Sequence, residues 1–167
     1  AGRTLLQRHL AAMSLAPVLG RDLAALYRVT DGRHEDLDLV TIERLQRGTR
    51  LADLAAVQDV DNAVQAVVHR IKTERGELAA LGHPEYGSRH HALIGQPNSE
   101  NNRNLVKLYI LQALAHEPRI AKICKAEVRV DRKAAPDRVD IVLELSFIGS
   151  PVPANLVVPF SFGGVPG

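Results

Sequence analysis

The chain has 167 residues, of which 46% are hydrophobic and 4% aromatic, with no Trp. This length predicts one domain with an N-terminal appendage, and its core must be aliphatic. The formal net charge of +2 comes from 21 basic and 19 acidic residues, so no strong field favours a nucleic-acid partner. No apolar run approaches the roughly 18 residues of a membrane span. The single cysteine, Cys124, excludes an intramolecular disulfide, and its spacing from Ile120 and Ile123 predicts a small buried side chain.

Residues 1–58 are predicted to form an N-terminal extension. Its first elements are an amphipathic helix and two strands, over Leu5–Leu15, Leu23–Val29 and Leu37–Ile42. The pair Asp31-Gly32 between the strands is typical of a tight turn and predicts a β-hairpin. Arginines and a glycine across 43–58 indicate an exposed linker.

Residues 59–167 are predicted to form the core domain, which begins with three helices. The first is capped by Asp59 or Asp61, ends at Thr73–Gly76, and has valines and Ile71 at the spacing of one apolar face. After a loop shaped by glycines and Pro84, Ser88 is predicted to cap a short helix. The pattern directs two residues of that helix inward, Leu93 and Ile94.

The third helix is predicted from Ser99 or Asn101 to His116 and should be the most buried, because apolar residues cover much of its surface. One stripe is followed by a second that widens it: Leu105, Leu108, Tyr109, Gln112 and Ala115, then Val106, Ile110, Ala113 and Leu114. Pro118 cannot continue this helix, and residues 118–124 are predicted to start a brief new one.

The last forty residues change to the two-residue period of β-strands. Ala126–Val130 and Val139–Phe147 alternate apolar with polar residues and predict a half-buried antiparallel hairpin. A final strand is predicted over Asn155–Phe162. Because Pro159 lacks an N–H group, this strand should lie at a sheet edge. The predicted class is therefore α+β: a small helical core of three main helices packed with a C-terminal antiparallel β-sheet, plus the N-terminal extension with its hairpin.

The combination of Gly76-Glu77, Pro84 with Tyr86-Gly87-Ser88, and Glu117-Pro118-Arg119, in this order, resembles one family over about residues 60–162. That family is the baseplate wedge or sheath-initiator family of contractile tails, which includes the phage W-like and tail-lysozyme-like proteins and relatives in contractile injection systems.

The resemblance implies a structural protein rather than an enzyme, without cofactor or metal, present in six copies around an inner tube. It implies assembly in the cytoplasm into the baseplate of a phage-tail-like particle. Its implied partners are baseplate wedge proteins, the sheath protein, and inner tube or hub proteins, with no nucleic acid and no membrane. Glu117, Pro118 and Arg119 would contact the wedge proteins. The sheath-docking strand would comprise Leu156, Val157, Val158, Pro159, Phe160, Ser161 and Phe162.

Strand addition at an unpaired edge fits this interpretation, since such an edge offers free backbone groups to another chain. Other motifs leave alternatives open. A peptidoglycan hydrolase would need two carboxylates roughly 5–10 Å apart, for which the candidates are Glu77, Glu85 and Glu117. Three clustered histidines raise a metal site, which lacks further ligands at a suitable spacing. Five basic residues could mark a solvated face or a nucleic-acid surface: Arg70, Lys72, Arg75, Arg89 and Arg103.

Overall fold

The computed structural model describes residues 19–30, 33–130 and 136–163, so the predicted helix Leu5–Leu15 and the turn at Asp31-Gly32 lie outside the described residues. The chain divides into two compact units, Ala1–Ala63 and Val64–Gly167. The predicted α+β class is confirmed. The elements, in order, are β1 (Arg21–Leu23), β2 (Ala25–Thr30), β3 (Arg33–Leu39), β4 (Thr41–Gln46), β5 (Thr49–Leu54), β6 (Ala56–Gln58), α1 (Asp59–Lys72), 3-10 helices Ala79–Leu81 and Arg89–Leu93, α2 (Glu100–Leu114), β7 (Ile120–Val130), β8 (Arg138–Phe147) and β9 (Ala154–Ser161).

The described part of the first unit contains three two-stranded antiparallel ribbons, formed by β1 with β6, β2 with β3, and β4 with β5. They meet at three residues whose backbones bond in a ring. Ala24 donates to the carbonyl of Ala55 at 2.8 Å, Ala55 to Val40 at 2.7 Å, and Val40 to Ala24 at 2.9 Å. The predicted pairing of β2 with β3 is confirmed. The bounds of the two predicted strands are wrong, because each prediction crosses a residue, Ala24 or Val40, at which the chain passes from one ribbon to the next.

The predicted linker over 43–58 is wrong, because this segment forms β4, β5 and β6. β4 and β5 pair from Thr41 with Leu54 to Gln46 with Thr49. Their turn is Arg47-Gly48, with φ of 49° and 79°. Two successive positive φ angles characterise the tight turns that join hairpin strands, a position where Asn-Gly is the usual signal. An arginine in the first turn position concealed that signal, and the ribbon is exposed along its whole length.

Most of α1 belongs to the second unit. The helix begins at Asp59, one of the two predicted starts, ends just before the predicted Thr73–Gly76, and buries Val67, Val68 and Ile71. The short helix is a 3-10 helix, and the Ser88 hydroxyl accepts a hydrogen bond from the N–H of His90 as its cap. Leu93 is buried as predicted. The inward direction predicted for Ile94 is wrong, because that side chain is 47% exposed. A helix of five residues presents too short a face to bury both.

The long helix α2 begins after Ser99, whose side chain accepts from Asn102 N–H. Its first predicted stripe is wrong: Leu105 and Leu108 are exposed. The second stripe is the buried one, and consists of Val106, Ile110, Ala113 and Leu114. Because α2 has apolar residues of its own on all sides, periodicity alone could not identify the face that packs against the core. None of the helices in the described residues has the length and apolar character that a bilayer crossing requires.

The C-terminal sheet has the order β7-β8-β9, with both neighbouring pairs antiparallel. The central strand β8 alternates strictly, and its inward residues are fully enclosed: Val139, Ile141, Leu143, Leu145 and Phe147. This confirms the predicted alternation. β9 lies at the edge, as Pro159 indicated.

The predicted brief helix over 118–124 is wrong, because β7 begins at Ile120. The register against β8 shifts twice, between Ile120 and Lys122 and between Ile123 and Lys125. Each shift leaves one extra residue, and Cys124 is the second. These bulges break the alternation and mimic a helical spacing. The predicted burial of Cys124 is also wrong, because its side chain is exposed.

Candidate functional site

Four side chains form what we term the arginine–glutamate cluster: Arg70, Tyr86, Glu117 and Arg119. The Glu117 carboxylate is at its centre and is only 3% exposed. Its Oε1 accepts from Arg119 Nε at 2.6 Å and from the Arg119 backbone N–H at 3.4 Å. Its Oε2 accepts from Arg70 Nη2 at 3.3 Å. The Arg70 guanidinium lies over the Tyr86 ring, with its carbon 4.4 Å from the centroid. The cluster is thus a connected group of contacts.

Two arginines balance one carboxylate in this cluster. Burial alone would raise the pKa of Glu117. The hydrogen bonds and charge of Arg119, together with the charge of Arg70, outweigh burial and hold that pKa below its ordinary value. Burial raises the pKa of Tyr86, with Arg70 acting in the opposite direction. Glu117 is therefore an anion that serves as a fixed acceptor, and Tyr86 is a neutral phenol.

The turn after α2 places Glu117 and Arg119 side by side. Glu117 donates its N–H to the carbonyl of Leu114, and Ile120 donates to the carbonyl of Glu117. Pro118, between them, has a fixed φ and no N–H group, so it ends the helix and leads into β7. The three residues predicted to contact wedge proteins are therefore contiguous in one tight turn. Their role in binding stays a prediction.

A second loop brings Tyr86 to Arg70. Ser88 donates its N–H to the carbonyl of Thr73 at 2.9 Å, and Arg75 donates to Ser88 at 3.1 Å. Gly87, which precedes Ser88, has φ of 96°, and a Cβ at this position would lie 2.6 Å from the Thr73 carbonyl oxygen. Only glycine allows so close an approach. The Gly87-Ser88 signal therefore marks the point where this loop closes onto the end of α1.

The second candidate surface is the outer edge of β9. No described strand pairs with it there. Phe162 donates to the carbonyl of Asp137 at 2.9 Å, at the same register by which β9 pairs with β8. The direction of backbone hydrogen bonding alternates along an antiparallel strand. The N–H groups of Val158 and Phe160 therefore point toward β8, whereas those of Val157 and Ser161 point outward. Pro159 occupies an outward position, where its missing donor costs β8 nothing.

The side chains of β9 anchor this edge to the core. Val158, Phe160 and Phe162 are buried, and Val157 is exposed. The Phe160 ring contacts Phe162 at 5.1 Å and His90 at 4.9 Å between centroids, both edge to face. His90 Nδ1 lies 2.9 Å from the Ser88 hydroxyl. The predicted sheath-docking strand therefore has one backbone edge that no described strand pairs with, while its buried side chains hold it against the core. Its docking to the sheath stays a prediction.

The acidic residues raised for a hydrolase are engaged elsewhere. Glu77 accepts the N–H of Glu74 at 3.1 Å, as a cap in the turn after α1. Glu85 pairs with Arg75. Glu117 lies in the cluster and is nearly enclosed. Two of these carboxylates therefore make local contacts, and the third is withdrawn from the surface.

The clustered histidines and several of the five basic residues also make local contacts. Among the described residues, no group of three or more His, Cys, Asp and Glu side chains could hold a metal ion. His91 Nε2 lies 3.0 Å from the carbonyl of Ile71. Of the basic residues, Arg70 is buried in the cluster, Arg75 pairs with Glu85, and Arg103 donates to Asn98 at 2.9 Å. Three of the five basic residues are therefore engaged in separate local contacts.

Arg70 and Tyr86 are the members of the cluster that sequence reasoning missed. The sequence places Arg70 among the residues of a basic face and gives Tyr86 only a place in the Tyr86-Gly87-Ser88 motif. The available signal was position: Arg70 lies between Val67 and Ile71, within the buried arc of α1. An arginine on a buried arc requires a partner, because a buried charge is otherwise costly.

No protein-family model matches this chain, and no curated protein matches it. A search of solved structures finds similarity to the crystal structure of a candidate tail lysozyme from Geobacter sulfurreducens, with a TM-score of 0.52 and 24% sequence identity. The match covers 60% of this chain and 87% of the other. At this identity, the similarity shows that the two chains share a fold.

Proposed function

We propose that this protein is a structural baseplate component of a contractile injection system or phage-like tail. It joins wedge proteins to the first ring of sheath subunits and templates sheath assembly. Six copies surround the inner tube and its hub, and the protein assembles in the cytoplasm before becoming part of the particle. The fold that this chain shares with a protein described as a tail lysozyme supports this proposal. So does the order of motifs in residues 60–162.

The observation that carries the proposal is the open outer edge of β9. An edge strand with unpaired backbone groups accepts a further strand from another chain. Here the buried side chains of Val158 and Phe160 hold β9 against the core, so the addition of another strand at its outer edge requires no rearrangement of the core. An incoming strand from a sheath subunit would find outward donors at Val157 and Ser161, and none at Pro159. The turn containing Glu117 and Arg119 would contact the wedge proteins.

A peptidoglycan hydrolase is the alternative that the name of the structural neighbour raises. A general acid in such an enzyme needs a raised pKa, whereas the pKa of Glu117 is lowered. Glu77 and Glu85 are engaged in local contacts. These observations favour the structural role.

The test measures binding of the full chain to the purified sheath protein of the same particle. Val157→Pro removes one outward donor, and we expect affinity to fall about three- to tenfold, the value of roughly one hydrogen bond. Val157→Ala is the matched control, because it shortens an exposed side chain and keeps the N–H group. Pro159→Val restores a donor and should strengthen binding by a similar factor.

Circular dichroism and thermal melting must show that each variant is folded. If folded Val157→Pro binds the sheath protein as tightly as Val157→Ala, strand addition at this edge is refuted. If the unaltered chain does not bind the sheath protein, the proposed function fails.

A further inference from the structure

The internal contacts of the arginine–glutamate cluster decide what kind of group a partner can bring to it. Both Glu117 oxygens already accept hydrogen bonds, from Arg119 and from Arg70. The carboxylate is also almost completely enclosed. A partner lysine or arginine would therefore find no accessible acceptor at Glu117. The acidic residue of the turn acts inside the protein.

The donors of Arg119 are in the opposite situation. Its side chain is 25% exposed, and its Nε is held by Glu117. Within residues 19–30, 33–130 and 136–163, no acceptor is bonded to its Nη1 or Nη2. Arg70 Nε is enclosed and likewise lacks a partner in that part of the chain. The two guanidinium groups thus offer more donors than Glu117 satisfies.

Charge leads to the same conclusion. Two guanidinium groups and one carboxylate leave an excess of one positive charge in a partly desolvated position. Screening by water is weak there, so a matching anion is attracted more strongly than at an open surface. Because Glu117 holds Nε and the backbone N–H of Arg119, the remaining fork points in a fixed direction. A fixed fork loses little entropy on binding.

We propose that the cluster binds a carboxylate, from an aspartate or glutamate side chain of the wedge protein, through the free Nη atoms of Arg119. This inference rests on the proposed wedge contact and adds the chemistry of the partner residue. The planar fork of an arginine matches two carboxylate oxygens, which a lysine cannot do. Glu117 orients the fork and is not itself in contact with the partner.

The test measures the affinity of the purified wedge protein of the same particle for the full chain, by titration calorimetry. Arg119→Gln and Arg119→Lys should each weaken binding, by about 10- to 100-fold for Gln. Arg89→Lys is the matched control, because Arg89 is an exposed arginine of the short helix outside the cluster. It should leave the affinity unchanged.

Glu117→Gln separates the two possible kinds of partner. The glutamine oxygen can still accept from Arg119, while the internal negative charge is lost. A carboxylate partner should then bind at least as tightly as to the unaltered chain. A basic partner would lose its counter-charge, and a loss of about tenfold or more in this folded variant would overturn the inference.

The partner residue is identified by replacing each aspartate and glutamate of the wedge protein with Asn or Gln. One of these changes should weaken binding as much as Arg119→Gln, and combining the two should add little further loss. If no acidic position couples to Arg119, the inference is refuted while the wedge contact stands.

If the unaltered chain does not bind the wedge protein, the proposed function fails, and acetate then decides the inference. Acetate should shift the Arg119 Nε resonance in NMR spectra of the full chain, and chloride at equal ionic strength should not. An identical response to both salts would refute a carboxylate site.

Discussion

His90 should make the stability of this protein fall between neutral and mildly acidic pH. Its ring is 3% exposed and packs against Phe160, with the His91 ring centroid 4.1 Å away. Burial first, and the neighbouring charge of His91 second, lower the pKa of His90 from 6.5 to about 3. The folded protein therefore keeps this histidine neutral at pH values where the unfolded chain protonates it.

The sign and size of the effect follow from proton linkage. Below pH 6.5 the unfolded chain binds a proton that the folded chain does not bind until about pH 3. Stability from this group is therefore complete above pH 6.5 and declines as pH falls through that window. Between pH 7.5 and 5.0 the loss amounts to about 2 kcal/mol in the free energy of unfolding.

The assay is urea denaturation followed by circular dichroism at both pH values. His90→Gln keeps a polar group near Ser88 but cannot titrate, so its loss between pH 7.5 and 5.0 should be smaller by about 2 kcal/mol. His83→Gln is the control, because it makes the same substitution at an exposed histidine. Equal losses in the wild type and His90→Gln would refute the reasoning. An NMR titration of the wild-type His90 ring, which should stay neutral at pH 5, provides a direct check.

Two further predictions concern backbone strain and an exposed thiol. Gly87→Ala should lower the free energy of unfolding by more than about 2 kcal/mol, because it adds a clash with Thr73 to a strained φ. Gly76→Ala is its control, since φ there is 94° with open space around the position; equal losses in urea melts would exclude the clash. Cys124 should react with one equivalent of a thiol reagent in the folded protein, and labelling that requires denaturant would contradict its exposure on the β7 bulge.

Much of the fold could be predicted because local patterns carry it. The alternation of β8, the Ser88 and Ser99 caps, and the helical spacing of α1 all predict their elements correctly. Pro159 also predicts that β9 lies at the edge of the sheet, since a strand that lacks one N–H donor is tolerated there. These signals depend on each residue's own chemistry and its near neighbours.

Most of the errors arose where the outcome depends on distant parts of the chain. Two bulges gave the start of β7 a helical spacing, and Arg47 concealed a hairpin turn. The buried face of α2 could not be chosen because apolar residues lie on all sides of it. For β7 and α2 the packing partner, rather than the local pattern, selects the conformation, whereas the Arg47-Gly48 turn was missed because arginine is not a usual residue in that turn position.

The sequence by itself determined the α+β class, the C-terminal sheet with its edge strand, and the turn that holds Glu117, Pro118 and Arg119. Only the tertiary structure decided that Glu117 faces inward and Arg119 remains available. That outcome requires Arg70, 47 residues earlier, to bond to the same carboxylate. No local pattern encodes a contact between α1 and the turn after α2, because it arises only when burial brings the two charges together and each must be paired.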